Sequence, residues 1–181
     1  MKFYKKNCGM LIQLAIGFLL FFSSQSLSFS SPKLQFPELR AHDLNGRRHL
    51  LPNDLSSPRT LLFIAFEREQ QTSINSWLHA LKLNAEEQQI SWLEVPVLKH
   101  PWRLVSFWID HGMRLGITHE NRRAHVWTVY TNRELFLKKL DLQGTQSVVL
   151  LVVNREGVIL AKVLGDYDKA KYQVISKALQ N

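Results

Sequence analysis

The sequence predicts an α/β sandwich with a mixed central sheet, and three observations carry that expectation. Two runs of strand length, 60–66 (TLLFIAF) and 147–153 (SVVLLVV), are apolar after their first residue, the pattern of strands buried on both faces. The first run leads through a helical repeat to another strand, a β-α-β unit whose strands must be parallel. The chain then closes on a hairpin and an amphipathic helix, which adds antiparallel strands to the same sheet.

The elements follow in order. Residues 39–51 contain Asn45-Gly46, a hairpin turn signal because both residues tolerate positive φ, and 51–55 (LPNDL) reads as a loop. After the strand 60–66, Thr72 or Ser73 can cap a helix whose core face is Ile74, Trp77, Leu78 and Leu81, spaced at the helical period. Residues 90–98 form the second strand of the unit. The segment 100–117 is rich in Trp102, Phe107, Trp108, Ile109 and Met113; Pro101 suits a first helical turn and Gly112 or Gly116 its end. A polar loop over 118–124, a strand over 125–131 and a short helix over 133–140 come next. The strand 147–153 turns through Asn154-Arg155-Glu156-Gly157 into an antiparallel strand over 158–164. A helix over 168–180 buries Ala170, Val174, Ala178 and Leu179.

The N-terminus has a different character. Residues 1–10 carry Lys2, Lys5 and Lys6 without an acid, 11–22 are apolar apart from Gln13 and Gly17, and 23–31 are small and polar. That is the layout of a secretory signal, and its apolar run is shorter than the roughly 20 residues that span a bilayer. Ser26-Leu27-Ser28 and Ser28-Phe29-Ser30 offer small-x-small cleavage sites. The expectation is a signal peptide over 1–30, a linker over 31–38 and one domain over 39–181, with a periplasmic or secreted product. The alternative is an uncleaved N-terminus that associates the protein with the membrane.

Removing 1–30 removes Cys8, the only cysteine, and lowers the net charge from +8 to +5. The mature part then has no thiol, which excludes thiol redox chemistry and disulfide stabilisation alike. Its basic residues are scattered, without the aromatic interleaving of a nucleic-acid surface, so no nucleic-acid partner is expected.

The element order resembles the thioredoxin-like fold in its longer, peroxiredoxin-type layout (AhpC-TSA type). The residues that carry the likeness are the N-terminal hairpin DLNGRRHLLPNDL (43–55), the buried strand TLLFIAF (60–66), the strand and helix VWTVYTNRELFLKKLDL (126–142) and the closing hairpin SVVLLVVNREGVILAKVLG (147–165). Exported bacterial proteins share this layout, and mitochondrial ATP-synthase assembly factors with a cysteine-poor thioredoxin-like fold look distantly similar. The catalytic members of the group place a cysteine where the loop after the first buried strand meets its helix, and the helix N-terminus lowers the thiol pKa. Here that junction reads Glu67-Arg68-Glu69-Gln70-Gln71-Thr72-Ser73. They also carry a cis-proline just before the strand equivalent to 147–153, where this chain reads Leu142-Gln143-Gly144-Thr145-Gln146-Ser147. The resemblance therefore implies the scaffold without its redox activity.

The junction remains the best candidate site, because a helix N-terminus favours anions. Arg68 brings a positive charge to it, and Gln70 and Gln71 bring amide donors. The plainer alternative is a capped turn in which Arg68 pairs with Glu67 or Glu69. Arg114 and Arg122 could complete a basic pocket, since guanidinium groups bind carboxylate or phosphate through two parallel bonds. His111, His119 and His125 lie too far apart in sequence for the close pairs typical of zinc sites, so no metal and no cofactor are expected. No catalytic residue is assigned. The leading expectation is a non-catalytic, exported binding or assembly factor with a protein partner in the cell envelope. The alternative is a thiol-independent hydrolase or transferase that reuses the same pocket.

Overall fold

A computed structural model of the chain describes residues 34–83, 90–99, 112, 117 and 120–180. The signal peptide expected over 1–30, the aromatic segment 100–111 and Arg114 lie outside the described residues. Seven strands form one sheet: β1 (Leu39–Asp43), β2 (Arg48–Leu51), β3 (Arg59–Ala65), β4 (Ser91–Lys99), β5 (Trp127–Thr131), β6 (Val149–Asn154) and β7 (Ile159–Leu164). Their order across the sheet is β2-β1-β5-β4-β3-β6-β7. β3, β4 and β5 are mutually parallel neighbours, while β6, β7, β1 and β2 pair antiparallel. The mixed α/β sheet with an N-terminal hairpin is the architecture the sequence predicts.

Both faces of the central strands are covered. On one face Leu62, Ile64, Leu93, Val95 and Val129 pack with Phe36 and with Phe136 and Leu140 from the helix α3 (Arg133–Lys139) and its end. On the other, Leu61, Phe63, Leu150 and Val152 pack with Ile74, Trp77 and Leu78 of α1 (Gln71–Ala80) and Ile175 of α4 (Lys169–Gln180). Alternate residues of each strand therefore enter different cores, which is why β3 and β6 read as unbroken apolar runs. A five-residue helix, α2 (Glu120–Ala124), replaces part of the loop expected over 118–124. Among the described residues no helix is long and apolar enough to cross a membrane.

Several local expectations are revised. In the first hairpin only Gly46 has positive φ, at 88°. Gly46 N–H donates to Asp43 O at 3.0 Å and Asp43 N–H to Arg47 O at 2.9 Å, a three-residue loop closed by a left-handed glycine. The Asp43 carboxylate completes that loop by accepting from the N–H groups of Asn45 and Arg47 at 3.0 and 2.8 Å. The linker expected over 31–38 is partly structural. Phe36 is buried in the core, Gln35 bridges Val158, and the backbone bonds Phe36 N–H to Gly157 O and Ile159 N–H to Leu34 O bind the segment to the β6–β7 turn. An apolar residue in each of Leu34 and Phe36 gives the stretch something to bury.

The last helix also turns a different face inward. Tyr172, Ile175, Ala178 and Leu179 contact the core, whereas Val174 is 48% exposed; the run 172-175-179 keeps the helical period and Val174 falls off it. Asp168 caps this helix. Its carboxylate accepts from the Lys171 N–H at 2.9 Å and lies 3.1 Å from the Lys171 ammonium. The Lys171 backbone bond, then its side chain, hold the Asp168 carboxyl below its ordinary value of 3.8. A carboxyl titration by NMR is expected to place its midpoint below that value. The cap then contributes fully above the unfolded pKa and is lost only as pH falls through the lowered one. A midpoint at or above 3.8 would remove the cap.

Candidate functional site

The candidate junction sits where β3 ends and α1 begins, at the carboxyl end of the parallel strands, the end at which α/β sheets place their sites. A 3-10 turn, Arg68–Gln70, runs directly into α1, so the helical path starts earlier than a Thr72 or Ser73 cap would allow. Gln70 is the reason. Its side chain is buried, and its Oε1 accepts from the N–H groups of Phe66 at 2.8 Å and Glu67 at 3.3 Å. Its Nε2 donates to Thr145 O at 2.6 Å. One amide thus ties the end of β3 to the loop that enters β6, the two loops where the redox members of the resembled group carry cysteine and cis-proline. Among the described residues the only cis peptide is Leu51-Pro52.

Arg133, which the sequence offered only as the start of a short helix, braces the same junction from the other face. Its Nη1 lies 2.8 Å from Glu67 Oε1, its Nε donates to Val97 O at 3.1 Å, and its Nη2 donates to Phe66 O. The guanidinium also lies over the Phe66 ring at 5.9 Å. It therefore joins the ends of β3 and β4 to the start of α3. Glu67 being taken by Arg133, Arg68 is left exposed and without an ion pair among the described residues. The turn is capped, as the plainer alternative expected, through Glu67 and Gln70, but among the described residues Arg68 pairs with neither Glu67 nor Glu69.

Gln71 and Arg122 do meet, but through a third residue. The Glu94 carboxylate, buried on β4, takes Arg122 Nη2 on Oε1 at 2.7 Å and Gln71 Nε2 on Oε2 at 3.3 Å. Gln71 Nε2 is also 3.2 Å from Asn75 Oδ1. Arg122 lies over the Trp92 ring at 5.4 Å, and His125 stacks on the same ring at 4.3 Å with its Nδ1 2.8 Å from Trp92 O. Glu94 pairs with Arg122 and offsets its charge in this seam. The signal for Glu94 was legible: a lone acid in the strand SWLEVPV must find a partner when buried.

The five candidates therefore separate. Arg68 faces outward, Gln70 is an internal brace, Gln71 and Arg122 share Glu94, and Arg114 lies outside the described residues. Among the described residues no three His, Cys, Asp or Glu side chains converge to hold a metal ion.

No family model matches the chain, and no curated protein matches it in sequence. Solved structures do match in fold. A candidate electron transport protein of Aquifex aeolicus VF5 aligns over 82% of this chain and 96% of its own, with 16% identity and a TM-score of 0.55. Yeast Sco1 with copper bound aligns over 83% and 95%, with 12% identity and a TM-score of 0.53. The exposed lipoprotein thioredoxin Etrx1 of Streptococcus pneumoniae strain TIGR4 aligns over 80% and 98%, with 12% identity and a TM-score of 0.52. Identities this low establish the fold alone, and the fold is thioredoxin-like.

Proposed function

We propose that this chain is an exported binding or assembly factor of the cell envelope that uses the thioredoxin-like fold without thiol chemistry. The observation that supports it most is the junction at the end of β3. The position that a redox member would keep open and reactive is closed here by the Gln70 amide, with no thiol beyond Cys8 in the whole chain. In front of that closed junction stands the exposed guanidinium of Arg68, at the N-terminal end of a helix. A carboxylate or other anionic group of a protein partner is the complement such a surface takes.

An assembly role is what we extend to this chain from the fold likeness to BsSco, a member of the Sco family of cytochrome c oxidase assembly proteins. The copper of yeast Sco1 is not extended, because the mature sequence offers no thiolate for a soft metal. For the hydrolase or transferase reading, the buried carboxylate that the described residues place near the junction is Glu94. Both of its oxygens are engaged, by Arg122 and Gln71, which leaves it poorly placed for acid–base work and puts that reading second.

The test is affinity purification of the tagged full chain from its own envelope after cross-linking, beside an Arg68→Ala variant. A reproducible stoichiometric partner is expected with the native protein and a loss of at least about tenfold in recovery with the variant, the scale of one charge-assisted contact. Thermal stability should be unchanged, since the Arg68 side chain makes no ion pair or hydrogen bond among the described residues. A native protein that purifies alone, or a variant that recovers the partner equally, sinks the proposal.

A further inference from the structure

β7 is an edge of the sheet, and its free side is guarded at one end only. The Gln35–Val158 bridge covers its start, while beyond Ile159 no strand pairs with its outer side among the described residues. Gly165 N–H bonds inward to Val148 O, so by antiparallel alternation the N–H and C=O groups of Lys162 and Leu164 point away from β6. An open edge is normally protected by a charge standing on it. Here Lys162 is drawn aside, with its ammonium 3.0 Å from Leu140 O and 3.1 Å from Asp141 O.

Two further features mark this edge. Of the five large apolar side chains that stand exposed among the described residues, four lie between 160 and 174: Leu160, Leu164, Tyr167 and Val174. They concentrate on this strand, the turn after it and the helix that packs over it. Leu164 flanks Lys162 at an alternate position and so shares its face, and Leu160 stands on the other side of Lys162 where the β6–β7 register shifts between Val152 and Val153. The half-buried Lys162 ammonium, meanwhile, is held by two carbonyls and has no anion beside it among the described residues. A cation held by carbonyls alone and flanked by exposed leucines is complementary to a carboxylate flanked by apolar residues.

We infer that β7 accepts an extended segment of a partner protein by strand addition, with Asp or Glu opposite Lys162 and apolar residues opposite or diagonal to Leu160 and Leu164. Main-chain bonds to Lys162 and Leu164 supply the docking, and the side-chain pattern supplies the selectivity. A second copy of this chain is a poorer fit, because the antiparallel register that matches Leu160 with Leu164 sets Lys162 against Lys162. The edge is separate from Arg68, so the two surfaces fail independently.

The test uses the full chain and two end-capped peptides, Thr-Val-Thr-Glu-Thr-Val-Thr and the same sequence with Lys replacing Glu. The Glu peptide is expected to slow hydrogen exchange at the Lys162 and Leu164 amides and to bind at least tenfold more tightly than the Lys peptide. Lys162→Glu should reverse that preference, and Lys162→Gln should level it while retaining a donor to the Leu140 and Asp141 carbonyls. Both variants are checked for an unchanged far-ultraviolet spectrum, and the Gln variant keeps the test decisive should the Glu variant unfold. Equal protection by both peptides overturns the inference, as does protection confined to 67–73, protection without peptide through self-association, or no protection at all.

Discussion

Replacing Arg122 with methionine is expected to cost about 3 kcal/mol of folding stability, the low end of what a stranded buried carboxylate costs. The Glu94 side chain is 5% exposed and that of Arg122 28%, so water reaches the guanidinium but hardly the carboxylate. Removing the arginine leaves Glu94 with the long Gln71 contact alone, in a seam lined by Trp92. The double variant Glu94→Leu, Arg122→Met should recover most of the loss, because it removes the buried charge together with its partner. Chemical denaturation of the native protein, both single variants and the double variant closes the cycle. If Arg122→Met costs less than about 1 kcal/mol, the value of an ordinary surface pair, the seam is not the buried pair described above.

Gln70→Leu is expected to be nearly as costly, at about 2–3 kcal/mol, because three backbone groups lose their partner at once: the N–H groups of Phe66 and Glu67 and the carbonyl of Thr145. For a domain of this size that is a fall in melting temperature of about 5–10 °C. The amides of Phe66 and Glu67 should exchange faster with solvent while those in mid-β3 change little. Gln70→Glu keeps the acceptor for those two N–H groups but sets a buried carboxylate against the Thr145 carbonyl, so it should cost at least as much as Gln70→Leu at neutral pH. A Gln70→Leu protein with native stability and unchanged exchange at Phe66 would show that the brace is dispensable.

The strands were legible in the sequence because their residues serve two cores. TLLFIAF has no polar face to alternate with, and the only arrangement that hides such a strand is a central place in a layered sheet. Helix α1 was legible for the same reason, as Ile74, Trp77, Leu78 and Leu81 keep one period. The last helix misled where Val174 is apolar yet off the buried line, and composition says nothing about phase. The start of α1 misled because a glutamine four residues from Phe66 closes the turn from inside, and the sequence around it reads as an ordinary polar loop.

The site was less legible than the fold. Arg68, Gln70 and Gln71 stand adjacent in sequence, yet they separate into a surface group, a buried brace and a partner of Glu94. Which way each points depends on where Thr145 and Glu94 arrive from distant strands. Arg133 was invisible because, beside its ion pair with the distant Glu67, it works through the carbonyls of Phe66 and Val97, and backbone acceptors leave no mark in a sequence. Glu94 was the exception: an acid inside an apolar strand announces that a cation must come to it.

The bond between the 34–36 segment and the β6–β7 turn joins parts of the chain about as far apart as the domain allows, with Gln35 and Glu156 separated by 121 residues. A ribosome delivers the first of these partners early and the second near the end. Until the closing hairpin emerges, Phe36 has no turn to rest on and the lower edge of the core stays unsealed. Such late, long-range closure slows folding, which leaves the nascent polypeptide loose for most of its synthesis.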